Sequence, residues 1–157
     1  MKLRSLTFLF AFVAFTSAAA QEYKIFTTVE SIVPMGIGRS RIVDSQTSAD
    51  YKALTTDRTD GKKSSQGDIK RDDVKIENFE ETKLLNFYSA VGINFQNITS
   101  NDAVVSSKLT ELVQEGWSLM FVTSGVESDA GVNDGNGIFI TRYILKRDKQ
   151  TADLSTN

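Results

Sequence analysis

The chain has 157 residues, 24% of them charged, a formal net charge of −2, and no His or Cys. Without imidazole or thiolate side chains, Ser-His-Asp and Cys-His catalysis, the usual zinc and copper sites and disulfide chemistry are all excluded. Nucleic acid is not expected as a partner, because binding to a phosphate backbone needs clustered Lys and Arg. No cofactor is predicted.

The first twenty residues are typical of a secretory signal peptide. Lys2 and Arg4 precede an apolar run of about ten residues, half the length that a membrane-spanning helix needs, and small side chains follow at 16–20. Cleavage before Gln21 leaves a chain of formal charge −4. We therefore expect export to the periplasm or the extracellular space, with no membrane span.

The mature chain is predicted to be one domain over residues 21–147, followed by a disordered tail at 148–157. Alternating β-branched and aromatic residues predict a β-hairpin over 22–44, with Pro34 and two glycines at its turn. The segment 44–75 is dominated by Ser, Thr, Asp, Lys and Gly. It predicts a mobile surface segment, with brief order around Tyr51 and Leu54.

Residues 76–98 fit two patterns. Asn78 and Glu81 resemble a capping box, and Leu84, Leu85, Tyr88 and Val91 recur at helical spacing. The same stretch also alternates with a period of two, which predicts a strand. We favour a helix over 76–91 followed by a short strand, with one long strand as the alternative.

The C-terminal third is more regular. An apolar stripe predicts a helix over 102–115, capped by Asn101 or Asp102 and ended by Gly116. Residues 117–123 predict a strand that is mostly buried on both faces, and 138–147 predict an antiparallel partner for it. The predicted fold class is α+β: a mainly antiparallel sheet of about four strands with one or two helices on one face.

One stretch carries a resemblance. Residues 109–119 run from a helix into Glu115-Gly116-Trp117-Ser118-Leu119, and the last strand closes on Lys146-Arg147. This resembles a family of small bacterial domains, domain of unknown function 4177, although the family usually has an acid where Ser118 stands. The resemblance implies a small antiparallel sheet with one packed helix and no catalytic residue. The N-terminal half is similar to uncharacterised secreted proteins of the Bacteroidetes type.

Two groups of polar residues are candidate binding sites. Arg39 and Arg41 follow Gly36 and Gly38, so they could form an anion-binding nest, although a solvated hairpin turn explains the same residues. A second group offers oxygen ligands for calcium, although its spacing fails the EF-hand pattern and a flexible loop is the simpler interpretation. Its members are Asp129, Asn133, Asp134 and Asn136.

The leading hypothesis is a non-catalytic exported binding or interaction module whose partner is an unknown protein or envelope component. The first alternative is a carboxylate-dependent hydrolase acting on envelope glycan or peptide, which would need two acids across a cleft. The candidate acids are Asp72, Asp73, Glu77, Glu80 and Glu81. The second alternative is a calcium-stabilised adhesion module. The ligand and the oligomeric state do not follow from the sequence.

Overall fold

The computed structural model describes residues 21–31, 40–89, 91–127 and 137–148. In chain order the elements are β1 (Gln21–Ser31), β2 (Arg41–Ser45), two 3-10 turns (Tyr51–Leu54 and Gln66–Asp68), α1 (Arg71–Val74), β3 (Phe79–Lys83), β4 (Tyr88–Ser89), β5 (Gly92–Ile93), α2 (Phe95–Gln114), β6 (Ser118–Glu127) and β7 (Ile138–Asp148). The predicted signal peptide, the hairpin turn and the tail lie outside the described residues, except for Asp148.

Five strands form one antiparallel sheet in the order β3-β2-β1-β7-β6, and β4 pairs with β5 separately. This confirms the predicted α+β fold, with β3 as a fifth strand. In the centre, Phe26 lies opposite Asp44 on one side and Tyr143 on the other. Because side chains alternate along a strand, the sheet has a helix-side face, with Phe26, Ile42, Asp44, Tyr143 and Leu145, and an open face, with Tyr23, Ile25, Phe121, Arg142 and Ile144.

The core lies between α2 and the helix-side face. Its buried apolar side chains are Phe26, Ile42, Leu84, Leu112, Trp117 and Leu145. The rings of Phe26 and Tyr143 stack with centroids 4.5 Å apart, an arrangement that adds about 1 kcal/mol to the burial of their area. With no disulfide in the chain, this packing has to hold α2 on the sheet.

The long helix begins earlier than predicted. Asn94, and not Asn101 or Asp102, is the N-cap, since its side chain accepts a hydrogen bond from the backbone N–H of Asn97. Asn101 is 2% exposed within the helix, where its amide accepts from the N–H of Leu85 and donates to the carbonyl of the same residue. Asn101, the predicted cap, is therefore a buried residue that links α2 to the preceding segment. No helix among the described residues has both the length and the apolarity to cross a membrane.

The predicted end of the helix is confirmed at Gly116, whose φ of 88° is left-handed. The N–H of Gly116 donates to the carbonyl of Val113, and the N–H of Trp117 donates to that of Leu112. This pair of bonds is a Schellman motif. It turns the chain directly into β6 and leaves Trp117 buried, with the guanidinium of Arg147 4.3 Å from the centre of its ring.

The favoured helix over residues 76–91 is wrong, and the alternative strand is nearer the structure. β3 pairs with β2, with Thr82 opposite Ile42, and the N–H of Leu84 donates to the carbonyl of Ser40. Of the apolar residues at helical spacing, Leu84 is buried but Val91 is 97% exposed. The free edge of β2 offers this segment inter-strand hydrogen bonds, whereas a short isolated helix is only marginally stable in water.

The polar segment after β2 contains the two 3-10 turns and α1, and none of these has a buried residue. The predicted order around Tyr51 and Leu54 is confirmed by the first turn, which Asp50 caps through the N–H of Lys52. A turn that is held by its own capping hydrogen bond can form without buried apolar side chains.

The prediction that β6 is mostly buried on both faces is wrong. Its side chains on the two faces are exposed, with Leu119 at 45%, Phe121 at 61% and Val126 at 57%. The reason is topological: β6 pairs with β7 on one side and is the last strand of the sheet on the other. Apolar patterning alone does not distinguish such an edge strand from a central one.

Candidate functional site

The helix-side face contains a buried charge cluster of Lys24, Asp44 and Lys108. Asp44 is 3% exposed, and its Oδ2 lies 3.2 Å from Nζ of Lys24 and 2.8 Å from Nζ of Lys108. Lys108 also lies over the ring of Phe26, 5.7 Å from its centroid. Because Lys24 is on β1, Asp44 on β2 and Lys108 on α2, the cluster ties the helix to two central strands.

Asp44 also has a carboxylate neighbour. Glu80 of β3 lies directly opposite it, which places the two Cβ atoms about 5 Å apart. Glu80 and Lys108 line a cavity of about 280 Å³ between β3 and α2, together with Thr82, Ser107 and Glu111. The short Cβ distance between Asp44 and Glu80 is compatible with the hydrolase alternative, which stays a prediction. Both contacts of Asp44 Oδ2 are nevertheless with lysines of the fold itself, so this oxygen has a structural role.

Two of the other predicted acids, Asp72 and Glu81, are paired with cations of the chain itself. Asp72 pairs with Lys75 on α1 at 2.9 Å, and both side chains are exposed. Glu81 is on the open face, where it forms an ion pair with Arg41. Among the described residues, no group of three or more side chains could hold a metal ion.

Of the predicted binding residues, Arg41 alone is described. It stands on the open face of β2, opposite Lys83 and beside Glu81, and is therefore part of the sheet. Arg39 and the calcium candidates Asp129, Asn133 and Asp134 lie outside the described residues, so both sites stay predictions.

The open face carries a continuous apolar row that the predictions did not include. Ile25 of β1 lies opposite Ile144 of β7, which in turn lies opposite Phe121 of β6. Tyr23 stands two residues before Ile25 on the same face, and Phe79 stands on the same face of β3. No helix among the described residues covers this row, since α2 lies on the other side.

The apolar side chains of this face are strongly exposed. Tyr23 and Phe121 are each 61% exposed, Ile25 is 49% exposed and Phe79 is 47% exposed. Because a buried aromatic side chain covers 150–250 Å², these fractions leave roughly 400 Å² of apolar side-chain surface in solvent. Surfaces of this extent mark interaction sites more often than single exposed apolar residues do.

The charged residues of β7 nearest the apolar row are basic, and Asp148 stands at the end of the same face, opposite Gln21. Arg142 lies opposite Thr27 and Thr123, and Lys146 lies opposite Tyr23. The acid Glu81 is already paired with Arg41. The open face therefore places the cations Arg142 and Lys146 beside the apolar row, and these complement a partner surface that combines apolar and acidic groups.

A signal for this face was available in the sequence. Tyr23, Ile25 and Val29 alternate with Lys24, Phe26 and Thr28, so apolar side chains occur on both faces of β1. A single helix can cover only one of the two faces of a sheet. The alternation indicated two apolar faces, and the helix count indicated that one of them would be open.

No protein-family model matches the chain, and the comparisons with curated proteins and with solved structures give no match either. The resemblance of residues 109–119 to a bacterial domain family therefore stays a prediction. The candidate site depends on the geometry of the open face alone.

Proposed function

We propose that this chain is a non-catalytic exported interaction module, and that the open face of its sheet binds the partner. The observation that carries the proposal is the uncovered row of Ile25, Ile144 and Phe121, continued by Tyr23. An antiparallel sheet with one solvated face usually places polar residues there. An apolar row at those positions favours a surface that is covered in the working state of the protein.

The chemistry of the face indicates the kind of partner. An apolar segment fits against Ile25 and Phe121, and acidic groups at its margin fit Arg142 and Lys146. We therefore propose a protein or envelope component that presents apolar and acidic side chains together. Nucleic acid is not proposed, because the cations on this face are few and Arg41 is already paired with Glu81.

Export forms part of the proposal on the strength of the pattern in residues 1–20 alone. It places the partner in the periplasm or outside the cell. The lack of a catalytic role is proposed because the chain has no His or Cys, and because the buried carboxylate of Asp44 is held by Lys24 and Lys108.

Affinity capture from envelope extract of the source cells tests the proposal. The bait is the wild-type protein or the double variant Tyr23→Ser/Ile25→Thr, which removes apolar surface from the open face without adding charge. The matched control is Val113→Thr, at a position that is 58% exposed on α2. We expect a partner that the wild type and the control retain and that the double variant loses by about tenfold or more.

Capture that is equal for all three baits contradicts the assignment of the open face. If the wild-type bait retains nothing, the proposed function itself is wrong. Far-UV circular dichroism of each bait verifies that a loss of capture does not come from unfolding.

A further inference from the structure

The two edges of the sheet differ in a way that bears on association. β3 is five residues long and includes Glu80, Glu81 and Lys83. A short, charged edge is a common protection against unwanted strand pairing. β6 is ten residues long and has no charged residue and no proline before Glu127. One edge is thus protected and the other is not.

The exposure of β6 extends to both of its faces. Phe121 is 61% exposed on the open face, while Val122 and Val126 are 41% and 57% exposed on the helix side. Within the described residues, β7 is the one strand that pairs with β6. Alternate backbone N–H and C=O groups on the outer side of β6 are therefore available to another strand.

We infer that β6 is a self-association edge, and that two copies of the chain pair β6 to β6 in antiparallel orientation about a two-fold axis. The pairing joins the two five-stranded sheets into one continuous sheet. This inference rests on the edge of the sheet and not on the open face, so it stands independently of the proposed function.

The register follows from the strand itself. A bulge between Leu119 and Phe121 bends the first part of β6, so the pairing uses the residues after it. Residues on the same face must meet across the new ladder. A two-fold axis at Ser124 satisfies this condition. It places Val122 opposite Val126 of the other copy on the helix side, and Thr123 opposite Gly125 of the other copy on the open face.

A second copy is the occupant that the strand fits. An antiparallel edge is complementary to itself under two-fold symmetry. Residues 122–126, which meet inside the ladder, are uncharged, and Glu127 stands opposite Phe121 of the other copy, so two acidic chains can approach without placing like charges opposite each other. A seven-residue pairing with its side chains buries on the order of 1,000 Å² in total, near the lower limit for a specific interface. We therefore expect a dimer that dissociates at micromolar concentration.

The arrangement has a consequence for the open face. With the two-fold axis perpendicular to the sheet, the two open faces lie on the same side of the continuous sheet. The dimer thus presents the apolar row twice, and a partner with two binding segments gains affinity from the linkage.

Sedimentation equilibrium of the purified protein over micromolar concentrations tests the inference. The wild type is expected to show a monomer–dimer equilibrium. In the variant Val122→Lys/Val126→Lys, the dissociation constant should rise at least about a hundredfold. In the proposed register each new lysine stands opposite a lysine of the other copy, and the two like charges repel each other. The control Val113→Lys changes an exposed valine on α2 and should dimerise as the wild type does. A wild type that is monomeric throughout, or a double variant that dimerises normally, overturns the inference.

A covalent test does not depend on the lysine variants being folded. The chain has no cysteine, and Ser124 lies opposite its own copy in the proposed register. Ser124→Cys should therefore form a disulfide-linked dimer under mild oxidation, far faster than Ser107→Cys on α2. Equal rates for the two variants contradict the pairing. Partner capture by the Val122→Lys/Val126→Lys variant distinguishes the two proposals. If the variant is monomeric and still captures the partner, the open face binds the partner without dimerisation.

Discussion

Replacement of Asp44 by Asn should destabilise the fold far more than the same change at a surface acid. The buried carboxylate holds the ammonium groups of Lys24 and Lys108 at 3.2 and 2.8 Å from one oxygen. The variant leaves two lysines beside each other without their anion. Removing one partner of a buried ion pair costs about 3–5 kcal/mol.

The expected cost here is somewhat smaller. The side chains of Lys24 and Lys108 are 23% and 17% exposed, so water can hydrate part of each ammonium group once the carboxylate is gone. We therefore expect a loss of about 2–3 kcal/mol in the free energy of unfolding. The control is Asp72→Asn, because Asp72 and Lys75 form an ion pair with side chains 85% and 49% exposed. Its expected cost is about 0.5 kcal/mol or less.

Urea unfolding followed by Trp117 fluorescence measures both variants. Trp117 is the single tryptophan and is 8% exposed in the core, so its emission reports on the packing of α2 against the sheet. The triple replacement Lys24→Met/Asp44→Leu/Lys108→Met should recover most of the lost stability, since apolar residues of similar size can replace a buried ionic group. A cost for Asp44→Asn within about 0.5 kcal/mol of the surface control would mean that the two ion pairs of Asp44 do not stabilise the fold.

Three further predictions concern single residues. Asn101→Ala should lower the free energy of unfolding by about 2–4 kcal/mol, because it removes the three hydrogen bonds that the buried amide of Asn101 makes with the backbone of Leu85 and with Glu30; a loss below about 1 kcal/mol in urea unfolding contradicts this. Gly116→Ala should cost about 1–2 kcal/mol by the same assay, since φ at this position is 88°, whereas Gly67→Ala, in an exposed 3-10 turn without positive φ, should change little. Burial, followed by the nearby charge of Glu30, raises the pKa of Tyr143 above its usual value of 10.0, so stability from this residue is present below about pH 10 and is lost as the pH rises through the folded pKa. Absorbance titration should show one of the four tyrosines ionising late and the late step missing in Tyr143→Phe; a late step that persists in the variant contradicts the assignment.

The elements that could be predicted from the sequence are those whose local pattern and tertiary environment agree. The alternation of β1 coincides with a central strand that buries Phe26 and Thr28. Gly116 follows an apolar helical stripe and takes the left-handed conformation that ends it. In these places the local preference and the fold favour the same structure.

The wrong predictions occur where a distant partner decides the structure. Asn101 has the residue type of an N-cap, but its buried side chain pairs with both backbone groups of Leu85. β3 has apolar residues at helical spacing beyond its end, but the edge of β2 pairs with it as a strand. β6 has the composition of a central strand, and no local feature indicates that it lies at the edge of the sheet.

The candidate site was predictable in part. An apolar alternation on both faces of β1, in a chain with one regular amphipathic helix, indicated an uncovered sheet face. Its row of Ile25, Ile144 and Phe121 joins three strands that are far apart in sequence. Such a row depends on strand order and register, which local patterns do not specify.

Site-specific photo-crosslinking in the source cells tests the central claim most directly. Benzoylphenylalanine in place of Tyr23 puts the probe on the open face, and in place of Tyr51 it puts the same probe on an exposed 3-10 turn that is not part of the sheet. The two tyrosines are similarly exposed, at 61% and 70%, so the pair is matched for chemistry and access. We expect an adduct of defined mass from position 23 and none from position 51. No adduct at position 23, or equal adducts at both positions, would contradict the claim.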